Sequence, residues 1–412
     1  MASSTGRTPL GRSFGRLWGA AASSNLADGI LLLAAPLLAV QLTRSPTLVA
    51  GVTVAFTLPQ IVVALPVGVL ADRMRRRRVI VAANLVRLVA AGGLALAAGA
   101  SGLSLVVLYL GVLALGAAEV AADTTTHAAI PEVVARDRLA AANSRMQGTQ
   151  RLLNDFVGAP LAGPLVAAGA VWVLGLPAVL FAVAAALATT VPGPVPEPTG
   201  TTVRSDLVEG LAHLWRDRLL RDLCVGAAVI NAASASFSAV FVLYAVAPGP
   251  MGLPETAFGL LIAGNAVGAL VGAVVAERVD RHLGLARLVR VGLVVIAVAF
   301  AVPVATSAVA PVALAFAVTG TAAMCLNVGV GSLRQLLVPR ALLGRVTSAV
   351  RMVAMGAMPL GALLGGVIGE VFGLRVVFAI AAAGVVVAML VLRRVTPEVV
   401  ADAHRRCDEG AL

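Results

Sequence analysis

Runs of about 20 apolar residues recur from one end of this chain to the other, each long enough to cross a hydrocarbon layer of roughly 30 Å. A chain patterned in this way has no single soluble core to fold into, because its apolar surface is distributed rather than gathered. Composition agrees. Of 412 residues, 59% are hydrophobic and 12% charged, whereas a soluble domain is nearer half apolar and a quarter charged. Mean hydropathy is +0.97. The spans read as 15–42, 46–70, 79–99, 103–129, 146–168 and 171–191, then 223–246, 255–276, 285–305, 309–333, 346–370 and 373–393. An all-α membrane protein with twelve transmembrane helices is the expected fold. Arg7, Arg12 and Arg16 precede a run from Leu17 to Leu42 that is too long for the apolar core of a cleaved signal, so it reads as an uncleaved first span.

The positive charge is all arginine; the sequence contains no lysine. A Walker-type phosphate loop and a Schiff-base enzyme both need that lysine, so an ATP-driven motor on this chain is excluded. Cys224, Cys325 and Cys407 are too scattered for a disulfide framework or a zinc site, and His127, His213, His282 and His404 make no metal-spaced pair. No metal and no cofactor are expected. The pI near 11.3 does not point to nucleic acid, because the arginines sit in short loops between apolar spans. They fall in the N-terminal segment and in 73–78, 136–145, 204–221, 278–290, 334–345 and 393–406, while the alternate loops hold only Arg44 and Arg375. With an even number of spans, positive-inside topology puts both termini and every arginine-rich loop in the cytoplasm.

The longest polar stretch, 192–222, divides the chain. It opens with the proline-rich breaker PGPVPEPTG and continues as RSDLVEGLAHLWRDRLLRDL, with Leu207, Leu211, Leu214 and Leu219 at near-helical spacing. An amphipathic helix lying on the membrane and an ordinary linker helix both fit. The text GVLADR at 68–73 is echoed by AVVAER at 273–278, and Pro160-Leu161 by Pro359-Leu360. Two six-helix halves, 1–191 and 223–394, joined by a cytoplasmic linker and followed by a cytoplasmic tail at 395–412, match a parallel-repeat transporter plan with its site between the halves. Gly361, Gly365 and Gly369, spaced by four, permit close helix approach.

GVLADRMRRRRVI (68–80) resembles the signature between helices two and three of the major facilitator superfamily, with Gly68, Leu70, Asp72, Arg73, Arg76, Arg77 and Ile80 at matching positions and Arg75 where the family has a second glycine. GAPLAGPLVAAG (158–169) resembles the glycine-proline motif of the antiporter branch, carried by Gly158, Pro160 and Gly163. The segments 25–59 and 207–223 look like the subgroup of bacterial drug, macrolide and siderophore exporters. The resemblance implies a bacterial inner-membrane transporter, with Gly68, Asp72, Arg73 and Arg76 as a conformational latch that engages the positive end of helix eleven. Many antiporters of this kind carry an arginine in span four. Here that helix offers Glu119 and Asp123, which leaves Arg87 or Arg151 as substitutes.

Ionisable residues inside spans are costly and point to function. Asp28 lies midway along span one. Glu119 and Asp123 share a face of span four, Arg151 and Asp155 a face of span five, and Arg87 lies in span three. The C-terminal half offers neutral groups instead, among them Asn231, Ser234, Asn265 and Asn327. At about 1.5 Å of rise per residue, Asp123 and Arg151 should lie at similar depth as a structural ion pair, with Glu119 and Asp155 one turn deeper. A poorly compensated carboxylate in a low-dielectric site can exchange protons near neutrality. Asp28, with no cation near it in sequence, is the leading proton or cation-binding candidate, followed by Glu119 and Asp155. Static ion pairing is the alternative for all of them.

These readings predict a monomeric secondary transporter exchanging protons for a small amphipathic or cationic compound, with the lipid bilayer and no nucleic acid as partners. A nutrient importer or uniporter of the same fold would usually need more aromatic and amide residues than the 4% aromatic content supplies. A membrane sensor or scaffold would carry an added soluble domain, and an enzyme would need a polar catalytic cluster.

Overall fold

The computed structural model describes residues 10–63, 74–192, 203–338 and 342–399, together with 402 and 405. Among these residues the chain is helical, apart from one isolated bridge between Val246 and Leu253. The first helices are α1 (Arg12–Leu42), α2 (Pro46–Thr57), the single turn α3 (Pro59–Val62), α4 (Arg76–Gly99) and α5 (Leu105–Val133). Next come α6 (Leu139–Arg151), a π-helical stretch at Leu152–Gly158, α7 (Ala159–Ala168) and α8 (Ala170–Thr189), then α9 (Val203–Arg216). The rest of the chain forms α10 (Arg218–Ala245), α11 (Glu255–Leu283), α12 (Leu285–Ala305), α13 (Val309–Leu337), α14 (Leu343–Phe372) and α15 (Leu374–Val391).

Ten of these helices are long and apolar enough to cross a membrane; the Pro46–Val62 segment is apolar but shorter. Leu139–Ala168 runs on without a break through its π-helical middle. Large apolar side chains such as Val89, Leu96, Leu260, Val274 and Phe372 point outward, which is stable only against lipid. The chain is a multi-pass membrane protein.

Local chemistry sets the ends of the helices. Ser45 caps α2, its hydroxyl accepting from Leu48 N, and Pro46 follows at the first helical position, where a missing N–H costs nothing. Asp217 caps α10, accepting from Leu219 N at 2.8 Å and Leu220 N at 2.9 Å. Gly284 and Gly373 are one-residue connectors at φ +71° and +88°, a region that side-chain-bearing residues rarely enter. At the end of α8, Arg16 and Arg77 donate to Thr190 O and Thr189 O at 3.0 and 3.2 Å, so topogenic arginines also satisfy otherwise unpaired carbonyls.

α4, α5 and α8 pack with α1 as one group, and α10 to α15 pack as another. The α9 helix belongs to the second group: Leu214 is fully buried in a cluster with Leu220, Val338, Val346 and Ala349, with Leu211 against it, and Arg345 Nη1 binds Glu209 Oε2 at 2.6 Å. The Leu211 and Leu214 side of this helix is therefore turned into protein. The groups join where α2 lies on α14 and where α7 lies on α11. Gly366 and Gly369 meet the Pro46–Ala50 turn there, while Gly361 and Gly365 let α14 close on Ala232 and Ser236 of α10.

Candidate functional site

The first group holds a narrow charged cleft, lined among others by Ser24, Asp28, Asn84, Arg87, Glu119, Asp123 and His127. Its volume of about 20 Å³ is on the scale of one or two water molecules. Arg87 lies at its base, 1% exposed. The guanidinium pairs with Asp28, donates to Ser24 Oγ at 2.5 Å and sits 4.2 Å from the centre of the Phe181 ring. Asp28, which has no cation near it in sequence, is thus part of a buried ion pair, the alternative left open for it. Arg87 pairs with α1 and not with the other sequence candidates.

Further along the cleft, Glu119 Oε2 is buried and, among the described residues, accepts no hydrogen bond. One turn away on α5, Asp123 Oδ1 receives Gln150 Nε2 at 3.4 Å and lies 3.6 Å from His127 Nε2. Asp123 Oδ2 lies 3.9 Å from the mostly exposed Arg351 Nη2 of α14, so the cleft reaches the second group. The expected Asp123–Arg151 pair is not formed. Arg151 Nη1 instead meets Met324 Sδ of α13 at 3.4 Å, and Gln150, its neighbour in sequence, takes the place beside Asp123. Depth along the helices was readable, but the side of α6 that each residue occupies was not. Asp155 follows in the π-helical stretch and is exposed.

That stretch has a local cause. Pro160 has no N–H for Phe156 O, and the preceding Ala159 N–H reaches back five residues to Asn154 O. The three motif residues each serve a contact. Gly158 lies against the backbone of Gly29 on α1, Pro160 O approaches Gly259 of α11, and Gly163 abuts Glu255 and Thr256 at the start of α11.

The second group holds a larger, neutral cavity of about 310 Å³ between α10, α11, α12 and α13. Its floor belongs to a ring cluster that sequence reading missed: Phe237, Phe241, Tyr244, Phe258, Phe300, Phe316 and Phe378 are linked by centroid distances of 4.8–6.3 Å. The signal was present as the stripe Phe237, Phe241, Tyr244 on one helix face, diluted in a chain-wide average. Asn265 lines this cavity with its amide anchored on Phe316 O at 3.1 Å, whereas Asn231 reaches Ala354 O at 3.0 Å and ties α10 to α14. Asn327 is exposed.

Around Leu42–Thr47 the groups are tied by polar contacts. Glu370 Oε2 of α14 receives Ser45 Oγ at 2.5 Å and Thr47 N at 3.2 Å, Gln41 Nε2 reaches Glu255 Oε1 at 3.5 Å, and Arg44 Nη2 donates to Ala247 O at 3.3 Å. This is the arginine-poor end. Of the expected latch, Gly68, Asp72 and Arg73 lie outside the described residues. Arg76 bonds Glu132 Oε1 at 2.8 Å and also Ala128 O, fastening the start of α4 to the end of α5.

Comparisons with known proteins agree with this architecture. Residues 4–408 match the family described as transmembrane secretion effector. The multidrug efflux pump Tap of Mycobacterium tuberculosis (strain ATCC 25618 / H37Rv) is 29% identical over 370 residues, covering 85% of each chain. Among solved structures, a bacterial homolog of the human lysosomal transporter Spinster, inward-facing and occupied, superposes with a TM-score of 0.74 at 14% identity, over 94% of this chain and 97% of that one. A D323A mutant of the nucleoside transporter NupG gives 0.73 at 13% identity, over 93% and 99%. A bacterial homologue of the iron transporter ferroportin, inward-facing, gives 0.69 at 19% identity, over 94% and 99%.

Proposed function

Because the chain belongs to the transmembrane secretion effector family of major facilitator transporters, we propose that it is a proton-driven exporter of a small amphipathic or cationic compound. The multidrug efflux named for the mycobacterial relative supports export. The proposed frame is twelve spans in two halves, 1–191 and 223–394, with 192–222 as a cytoplasmic linker and 395–412 as a cytoplasmic tail. The protein works as a monomer in the bacterial inner membrane, with both termini and the arginine-rich end in the cytoplasm.

One observation carries the proton reading: a buried Glu119 oxygen without a donor among the described residues, in a cleft too narrow for cargo. A buried ionised carboxylate needs compensating partners. Asp28 has Arg87 and Asp123 has Gln150, His127 and Arg351, which leaves Glu119 as the group that takes and releases the proton. Asp28 then holds Arg87 in place, and Asp155, on the exposed side of span five, faces the water path. Asn231 and Asn327 act in helix packing and at the cytoplasmic mouth, not in proton transfer.

In the proposed cycle the contacts of Glu370, Glu255 and Arg44 close the outer end while cargo enters from the cytoplasm. With cargo bound and Glu119 ionised, rocking opens the outer end, and Asp72, with Gly68, Arg73 and Arg76, holds the cytoplasmic end shut. Cargo leaves, and Glu119 takes a proton from the outer side, which removes its charge beside Arg87 and Asp123 and changes the pull on Arg351; the protein rocks back and the proton leaves into the cytoplasm.

The test is ethidium accumulation in efflux-deficient bacteria expressing wild type or Glu119→Gln, with and without a protonophore. Export by wild type that both the protonophore and the substitution abolish is the expected result. Wild-type cells that accumulate ethidium like empty-vector cells, with the protein present in the membrane, would refute broad cationic export. Undiminished, pH-dependent export by Glu119→Gln would remove the proton from this residue.

A further inference from the structure

We propose that the neutral cavity in the second group is a binding site for the flat, uncharged aromatic part of the exported compound, of the size of two fused rings. The identity of the occupant as cargo rests on the exporter reading; the site itself rests on geometry.

The size is the first argument. At about 310 Å³ the cavity is roughly twice a ~150 Å³ engineered cavity that takes up benzene. The walls are the second. Phe237 and Phe300 are stacked, with centroids 4.8 Å apart and 22° between planes, and Phe316 is tilted against Phe237 at 6.0 Å. An inserted ring system therefore meets a fixed aromatic surface and needs no rearrangement of the cluster.

The polar groups are the third argument. Ser234, Ser238, Asn265 and Thr319 line the cavity, and among the described residues no ionisable side chain does. Charge is excluded, while a ring nitrogen, carbonyl or hydroxyl on the occupant would find a partner. The amide of Asn265 is already oriented by its bond to Phe316 O.

Access is the fourth. From Ala233 to Val246 nearly every residue of α10 is buried, and Ser238 alone is exposed. A helix enclosed on its other positions does not face lipid there, so Ser238 marks an opening onto internal, solvent-reachable space. The cationic end of an amphipathic compound would remain outside this cavity.

Thiol protection tests this. In a background carrying Cys224→Ala, Cys325→Ala and Cys407→Ala, Ser238→Cys is labelled with N-ethylmaleimide in membrane vesicles, with quinoline as the probe. With quinoline at about ten times its dissociation constant, labelling should slow roughly tenfold, because only the unoccupied site reacts. Tetraethylammonium should leave the rate unchanged, and so should quinoline at a control Ser332→Cys, which is exposed but outside the cavity. Ala323→Phe, which fills the cavity, should abolish the protection; if that variant does not reach the membrane, Ser234→Phe makes the same test from another helix.

No slowing by quinoline, equal slowing at the control cysteine, or protection that survives filling each overturns the site. Ethidium export in the same cells keeps the outcomes apart. Export without protection removes the aromatic site and leaves the exporter; protection without export establishes the site and removes its role in ethidium efflux.

Discussion

The two helix groups handle polarity in opposite ways. In the first, a guanidinium and three carboxylates crowd a cleft of about 20 Å³; in the second, Phe237, Phe300 and Phe316 of a seven-ring cluster line a neutral cavity of about 310 Å³. A charged cleft of that size has room for protons and water, and a neutral one of the larger size has room for part of an organic molecule. The difference teaches that one chain can keep buried charge and open apolar volume in separate helix groups. Under the proposed exporter reading, the proton and the cargo need not share one pocket, provided that both bias the same equilibrium.

Four variants probe this contrast, beginning with the largest effect. Arg87→Ala leaves Asp28 buried without its cation and should cost about 3–5 kcal/mol, read as a lowered thermal unfolding temperature in detergent. Asp28→Leu with Arg87→Met should recover most of that loss; failure to recover would mean the pair does more than compensate its own burial. On the other side, Phe237→Leu keeps an apolar side chain and gives up ring stacking, a loss of about 0.5–1.5 kcal/mol beyond area. If it proves as damaging as Arg87→Ala, the aromatic cluster is a structural keystone and not a tolerant lining. Glu370→Gln should leave the unfolding temperature unchanged, since this group is at the surface. It should instead add a longer component to the distance distribution between spin labels at Gly102 and Ser307, on loops of the two groups at the arginine-poor end. An unchanged distribution would show that closure at that end does not depend on this carboxylate.

Hydropathy made most spans legible, because bilayer thickness imposes a length that single-residue variation does not obscure. Asp28, Arg87, Glu119 and Asp123 of the cleft were legible, since an ionisable group in a span stands out from its surroundings, whereas Arg151 and Asp155 were read with them but do not line it. Their pairing was not. Asp28 and Arg87 are separated by 59 positions, and only the packing of α1 on α4 and α8 decides that they meet. Gln150 rather than Arg151 faces Asp123 because one residue turns the helix by about 100°, while the rise argument constrained depth alone. The aromatic cavity was hidden by averaging: a chain with 4% aromatic residues can still concentrate them in one bundle. The apolar face of α9 looked the same in sequence whether its destination was lipid or protein, and Leu214 chose protein.

Gly29 and Gly158 have a consequence for which substitutions this fold can absorb. A methyl group on Gly158 would lie 2.7 Å from Gly29 Cα, and one on Gly29 would lie 2.6 Å from Asn154 Cα, so two main chains lie directly against each other. A contact made of backbone has no side chain through which substitution could adjust it gradually. Here even the smallest side chain forces two helices apart, whereas an exchange of one apolar side chain for another around Phe300 brings no main chains into collision.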